Sequence, residues 1–394
     1  MDKLPTTLSV GIMTAPQIDV SYNADGTFTL HGVTIGKDYH WERKEDQTFM
    51  GELKIIREAD GQMTAVNIIS IEDYLVSVIS SEMSPNASLE FLKAAAVISR
   101  SWVMGKITDR PKATAPSPHK RKTQGDEVSR LITWQDHEDH TLYDVCADDH
   151  CQRYQGVTKA TNPNAKRAVE ETRGEVLTYH GEVCDCRFSK CCGGRMEEFS
   201  TCWQDKEVPY LQALEDRDPK DGTILCDTSD PAILSQVLND YDQETADFYR
   251  WTVTYTQEQL SDLLSRKLDH NFGHIVELRP LKRGKSGRIY ELQIIGTKAS
   301  LIIGKELTIR SALSESHLYS SAFEVEVSYS PALKDIPATF TLKGKGWGHG
   351  VGLCQIGAAV MGAKGYTYRE ILAHYYPDTV IENREQITDN RKYD

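Results

Sequence analysis

Two groups of residues in this sequence have types and spacing suited to chemistry: a glutamate that closes an apolar stripe, and a compact run of thiols and imidazoles. In Ile71–Met83 the apolar residues Ile71, Tyr74, Leu75, Val78 and Ile79 recur at helical spacing, and Glu82 follows Leu75 by nearly two turns, on the same face. A carboxyl on the buried side of a helix is desolvated, which raises its pKa towards neutrality and suits it to general acid work. The alternative is a helix that stops short of Glu82 and leaves it on a solvated turn before Ser84-Pro85. His140, Cys146, His150 and Cys151 set four donors close together in sequence, a combination that suits tetrahedral Zn2+. A Cys146–Cys151 disulfide, or free thiols beside incidental histidines, would use the same residues differently.

A second set of cysteines, Cys184, Cys186, Cys191 and Cys192, precedes Cys202 and Cys226. Neighbouring cysteines rarely bridge each other, so a disulfide would run to Cys202 or Cys226; a second metal site is the other reading. The stretch Gly344–Ala358 alternates glycines in a pattern that fits neither the dinucleotide fingerprint nor the phosphate loop. Such glycines let backbone approach a neighbour closely and bring His349 and Gln355 with it, or they make a plain turn between strands.

The elements that must hold these groups can be read from periodicity. The first 70 residues alternate in short runs, Leu8–Ile12, Thr27–Ile35, Glu52–Arg57 and Thr64–Ile69, with turn residues at Asp25-Gly26 and Asp60-Gly61. Ser70 with Asp73 three residues on is a capping signal for the helix that carries Glu82. Ser88–Trp102 is helical by propensity, with a small Ala94–Ala96 face and an Arg100 that either pairs with a carboxylate or snorkels to the surface. Asp109–Asp139 shows neither period, and 109–156 is expected to be a long excursion holding the metal residues. Strand patterns resume at Ala168–Tyr179, Arg288–Ile303 and Ala322–Val327, and 219–283 reads as an insertion with a helical piece near Gln257–Lys267. Gln355–Lys364 is helical with Gly365 as its cap, and Thr367 with Glu370 boxes the start of a helix carrying His374. The expected class is α+β, mainly antiparallel strands with a few helices around a substrate groove, with residues 1–394 as one composite unit.

Composition narrows the partners. Lys+Arg 45 against Asp+Glu 58 gives a net charge of −13, and the local basic residues are Lys112 and His119–Lys122, so nucleic acid is not an expected partner. No apolar run is long enough to span a bilayer, and Met1–Ala15 shows no export signal.

The segments Glu72-Asp73-Tyr74-Leu75, Ser81-Glu82-Met83, Leu92–Val97 with Arg100, Cys151-Gln152-x-Tyr154-x-Gly156, Gly193-Gly194, Trp203, Pro209-Tyr210-Leu211, Gly346–Gly352 and Ile371-Leu372-x-His374-Tyr375-Tyr376-Pro377 have a further meaning together. In that order, from about residue 8 to 382, the chain resembles the stage II sporulation protein D family, which includes proteins called amidase enhancers. The resemblance implies a lytic transglycosylase of bacterial peptidoglycan. Such an enzyme cuts glycan strands between N-acetylmuramic acid and N-acetylglucosamine, prefers strands stripped of stem peptides, and leaves 1,6-anhydro ends. The family's catalytic glutamate falls on Glu82, in a motif that here reads Glu-Met-Ser-Pro, with Ser84 inserted ahead of Pro85. The family's zinc ligands match His140, Cys146, His150 and Cys151, which implies a structural Zn2+. Cys354 stands where the family often has serine. Arg100, Tyr154, His349 and Gln355 are the substrate-binding candidates, lining the groove or orienting Glu82. Peptidoglycan glycan strands and a cell-wall amidase are the implied partners, in an extracytoplasmic location. The rival reading is a non-catalytic peptidoglycan-binding activator of such an amidase. A zinc hydrolase, a third reading, would need an open coordination position.

Overall fold

The structure, a computed structural model, describes residues 6–36, 42–84, 87–108, 128–134, 140–148, 150–158, 160, 163–237, 247–331 and 333–384. Its elements are helices mixed with mostly antiparallel strands in open sheets, the α+β class expected. Strands β1 (Thr7–Ala15), β2 (Val20–Tyr22), β3 (Phe28–Ile35), β4 (Arg43–Phe49), β5 (Glu52–Arg57) and β6 (Met63–Ser70) precede the first helix. β1 and β5 flank β6 antiparallel, while β2, β3 and β4 form a separate three-stranded sheet. β4 escaped the periodicity reading because its sequence Arg-Lys-Glu-Asp-Gln-Thr-Phe is mostly charged, and it buries only Gln47 and Phe49.

β6 runs directly into α1 (Ile71–Glu82), whose first turn is capped by Ser70: its hydroxyl accepts from the Asp73 N–H at 3.1 Å and donates to the Asp73 carboxylate at 2.7 Å. α2 (Leu89–Thr108) extends beyond the expected end at Trp102 because Val103 and Met104 continue its buried face. Ala94, Ala95 and Ala96 are fully buried, and their small side chains let α1, the helix 163–171 and the two C-terminal helices pack closely around α2.

Ala168, expected in a strand, lies in the helix Pro163–Glu171. Proline suits its first position, and buried Ala165, Ala168 and Val169 follow helical spacing; the strand starts later, at Glu175, after the left-handed Gly174. The C-terminal helices 355–363 and 368–375 form as expected, with Gly365 at φ +84° and a complete Thr367–Glu370 capping box.

A second apolar cluster lies between two further sheets. One orders strands 275–283, 289–296, 300–304 and 129–132; the other orders 250–256, 337–345 and 323–329. Trp251, Leu260, Phe272, Leu292, Phe340 and Leu342 lie in its core. The stretch read as an insertion therefore supplies two strands and the helix 257–268 to this cluster. Of the excursion, 109–127, 135–139 and 149 lie outside the described residues, as do Pro85 and, in the insertion, 238–246.

Candidate functional site

α1 ends on Glu82 itself, where the Met83 N–H closes the last turn on the Ile79 carbonyl at 2.9 Å. The helix reaches the glutamate, which is half-buried rather than on an open turn. Its Oε1 accepts a hydrogen bond from the backbone N–H of Arg153 at 3.0 Å.

That amide is held in place by the segment Cys151–Gly156, which is laced to α1 and to β6. Tyr74 donates its hydroxyl to Gln152 Oε1 at 3.1 Å, Tyr154 donates to Asn67 Oδ1 at 2.6 Å, and Ser77 donates to the Gly156 carbonyl at 2.7 Å. Gly156 has φ +59°, and a Cβ there would lie 2.2 Å from the Thr48 carbonyl oxygen, so no side chain fits. The Cys-Gln-x-Tyr-x-Gly motif is thus a lacing device, and its product is a donor aimed at one carboxyl.

Gln355 is buried, and its amide contacts Met83 Sδ at 3.8 Å, which sets it beside the residue that follows Glu82. Two other candidates are interior. Arg100 is 2 % exposed: Nε and Nη2 donate to the Glu72 carboxylate at 2.9 and 2.7 Å, and Nη1 donates to the Glu175 carbonyl at 3.0 Å. Tyr154 is fully buried and stacks on Tyr74 at 5.1 Å between ring centres. Both spend polar atoms on partners inside the protein, Arg100 on Glu72 and the Glu175 carbonyl and Tyr154 on Asn67.

His349 sits in a different cluster. Its ring meets Trp203 edge-on at 5.0 Å, and the Arg187 guanidinium lies over Trp203 at 4.2 Å. Its Nδ1 accepts from the Val351 N–H at 3.0 Å, which assigns the ring proton to Nε2. Burial, reinforced by the charges of Arg187, Arg288 and Arg310, lowers its pKa from 6.5 to about 3. The ring is therefore neutral at physiological pH, a donor through Nε2 and not a cation. The unfolded chain binds the extra proton below about pH 6.5 and the folded chain resists it down to about pH 3, so this contribution to stability is complete above the first value and lost as the pH falls towards the second. The thermal midpoint is expected to fall between pH 7 and pH 4, and in His349→Asn, scanned by calorimetry, to fall less steeply.

Four donors converge as the sequence spacing suggested. The ligand atoms of His140, Cys146, His150 and Cys151 all lie within 4.8 Å of one another. Cys151 Sγ is 3.4 Å from His140 Nε2 and 3.5 Å from His150 Nδ1, close to the ~3.5 Å that separates sulfur from nitrogen around tetrahedral zinc. Burial opposes ionisation of Cys151, yet hydrogen bonds with Cys146, His140 and His150 and the charge of Lys106, 3.2 Å away, hold its thiol well below the ordinary value. The quartet is moored to the first sheet: Val145–Cys146 pairs parallel with Val10–Gly11, and the Asp144 carboxylate accepts from the Ser9 N–H at 2.7 Å and the Ser9 hydroxyl at 2.6 Å.

The glycine stretch is fixed by a residue that no motif announced. Arg288 is fully buried and donates to the carbonyls of Gly348 at 3.0 Å and Cys192 at 3.1 Å. Gly350, at φ +75°, has no room for a side chain, since a Cβ would lie 2.4 Å from the Arg288 guanidinium carbon. Buried Glu197 completes the support, accepting from the Ser286 N–H at 3.1 Å and the Ser286 hydroxyl at 2.6 Å.

Comparison with known proteins agrees with this architecture. Residues 59–179, which hold α1, α2 and the donor quartet, match the family model described as Stage II sporulation protein, and residues 197–352 match a Domain of unknown function (DUF8618). The chain is 26% identical over 321 residues to the amidase enhancer of Bacillus subtilis (strain 168), covering 78% of this chain and 40% of that protein. It is 24% identical over 324 residues to stage II sporulation protein D of the same organism, covering 82% and 77%. An uncharacterized protein of Brachyspira hyodysenteriae is 27% identical over 373 residues, covering 93% and 77%. The match over residues 59–179 and the similarity to both Bacillus subtilis proteins support a relation to the stage II sporulation protein D and amidase enhancer family. It spans 40% of the length of the amidase enhancer it matches. Among the described residues, no helix is long and apolar enough to cross a membrane.

Proposed function

We propose that this protein is a lytic transglycosylase that cuts peptide-stripped glycan strands of peptidoglycan at the bond between N-acetylmuramic acid and N-acetylglucosamine. The observation that carries the reading is the Glu82 carboxyl, half-buried at the end of a capped helix and oriented by one backbone donor on a laced segment. Protonated, Glu82 gives its proton to the glycosidic oxygen as the C1–O bond breaks through an oxocarbenium-like state. As carboxylate it then takes the proton of the muramic C6 hydroxyl, whose oxygen bonds to C1 and closes the 1,6-anhydro ring. One acid-base residue suffices because the nucleophile belongs to the sugar. Gln355 lies against Met83, the residue that follows Glu82, whereas Trp203, Arg187 and neutral His349 form a surface on which a sugar ring can stack. The substrate places the protein outside the cytoplasmic membrane.

His140, Cys146, His150 and Cys151 fit Zn2+ by donor type and spacing. An ion held there would cross-link the edge of the first sheet to the start of the lacing segment. Four protein donors leave no open position, so the role is structural, and the zinc-hydrolase reading loses its support. Stripping the metal with a strong chelator is expected to lower the thermal midpoint by several degrees and to reduce cleavage with it, both recovered on adding zinc and both smaller in His150→Ala, whose quartet lacks one ligand.

A second reading is favoured by the name of one relative: an amidase enhancer that holds glycan for a partner amidase without cutting it. Digestion of peptide-free glycan strands followed by mass spectrometry of the products separates the two. Anhydro-muramic ends formed by the purified protein alone support the enzyme. No new ends, together with stimulation of an added cell-wall amidase, support the helper.

A further inference from the structure

A second metal-ligating cluster shares no residue with the first quartet, and the function above makes no use of it. Cys192, Asp216, Cys226 and Cys354 place their ligand atoms within 4.8 Å of one another. Cys192 is 1 % exposed and the other three are 0 % exposed. They arrive from separate parts of the chain: Cys192 ahead of Gly193-Gly194, Asp216 and Cys226 at either end of one loop, and Cys354 as the residue that caps helix 355–363.

We propose that this cluster is a closed, structural site for a thiophilic divalent cation, Zn2+, held by the thiolates of Cys192, Cys226 and Cys354 and by one carboxylate oxygen of Asp216. The separations agree. Cys192 Sγ lies 3.5 Å from Cys226 Sγ and 3.3 Å from Asp216 Oδ2, near the roughly 3.5–3.8 Å edges of a tetrahedron with zinc-to-donor bonds of ~2.0–2.3 Å. A disulfide would instead bring the sulfurs to about 2.05 Å.

The surroundings are those of a ligand set rather than of idle thiols. Asp216 Oδ1 accepts from the Tyr375 hydroxyl at 2.8 Å and lies 3.3 Å from His374 Nε2, so one oxygen is held from behind while Oδ2 faces the sulfurs. Outer partners that fix a ligating carboxylate in this way are a regular part of metal sites. The Cys192 N–H points at Cys354 Sγ at 3.3 Å, and Cys354 sits at a helix N-terminus, where negative charge is favoured. Gly357 leaves room for the carboxylate: a Cβ there would lie 2.6 Å from Asp216 Oδ2. A fully buried aspartate among thiols is costly without a cation, and a bound dication removes that cost.

Such an ion would tie the Cys192 turn and the 216–226 loop to the helix whose first residue, Gln355, touches Met83. The experiment is elemental analysis of the purified full chain after exhaustive dialysis against a weak chelator. Cys151→Ser disables the first quartet and is expected to retain one equivalent of zinc, which Cys226→Ser introduced in the same chain removes. A Cys151→Ser chain that is folded and metal-free overturns the proposal, whatever the first quartet does, as does a peptide map of unreduced wild-type protein showing Cys192 bridged to Cys226. If the doubly substituted chain is not recovered, Asp216→Asn in the Cys151→Ser background replaces it. Zinc is then expected to be lost to chelator at least tenfold more readily, and unchanged retention overturns the assignment of the fourth ligand.

Discussion

Glu82→Gln is expected to reduce formation of 1,6-anhydro ends on peptide-free glycan strands by about 10²–10⁴-fold, the range that a positioned acid-base group contributes. The substitution isolates proton transfer from architecture. Glutamine keeps the length of the side chain and an oxygen able to accept from the Arg153 N–H, and the Ser70 cap and apolar stripe of α1 are untouched. The thermal midpoint should therefore stay near that of the parent chain while the product disappears. Mass spectrometry of the released saccharides, quantified against time, is the readout. Equal product from both chains would remove Glu82 from the chemistry and with it the proposed mechanism.

Arg100→Ala is expected to destabilise the protein by about 3–5 kcal/mol, the cost of breaking a buried ion pair from one side. Arg100 is enclosed between α1 and the strand 175–179, and its fork meets both oxygens of Glu72. Its removal leaves the Glu72 carboxylate, whose side chain is 17% exposed, without its partner. Lysine is not a conservative replacement, because a single ammonium cannot meet two carboxylate oxygens and a carbonyl in one plane. Urea unfolding of Arg100→Ala, Glu72→Ala and the double variant should show the double losing clearly less than the sum of the singles. Additive losses would mean that the two groups act independently and that the stability of this corner comes from apolar packing.

What could be read in the sequence was local. The cap at Ser70, the stripe from Ile71 to Ile79 and the position of Glu82 lie within one helix, and the structure extends that helix to Glu82. The first donor quartet was legible because its members are close in sequence, so a short loop can bring them together. Arg100 left two options, and the choice of a carboxylate partner was decided by Glu72, which lies 28 residues earlier. Asp216 could not be added to Cys192 and Cys354, because nothing in its neighbourhood marks it as a ligand and the convergence depends on how distant segments pack. Arg288 was silent for the same reason: a buried arginine that binds carbonyls has no spacing rule. The second apolar cluster was hidden in polar, alternating strands such as Arg250–Thr256, whose burial is limited to one face.

A donor that reaches Glu82 belongs to the main chain, so this contact is not made by the side chain that position 153 carries. Exchanging the side chain there, as a systematic truncation survey would, leaves this amide untouched. Only a residue without an N–H, such as proline, or an ester linkage built in by chemical synthesis, would take it away.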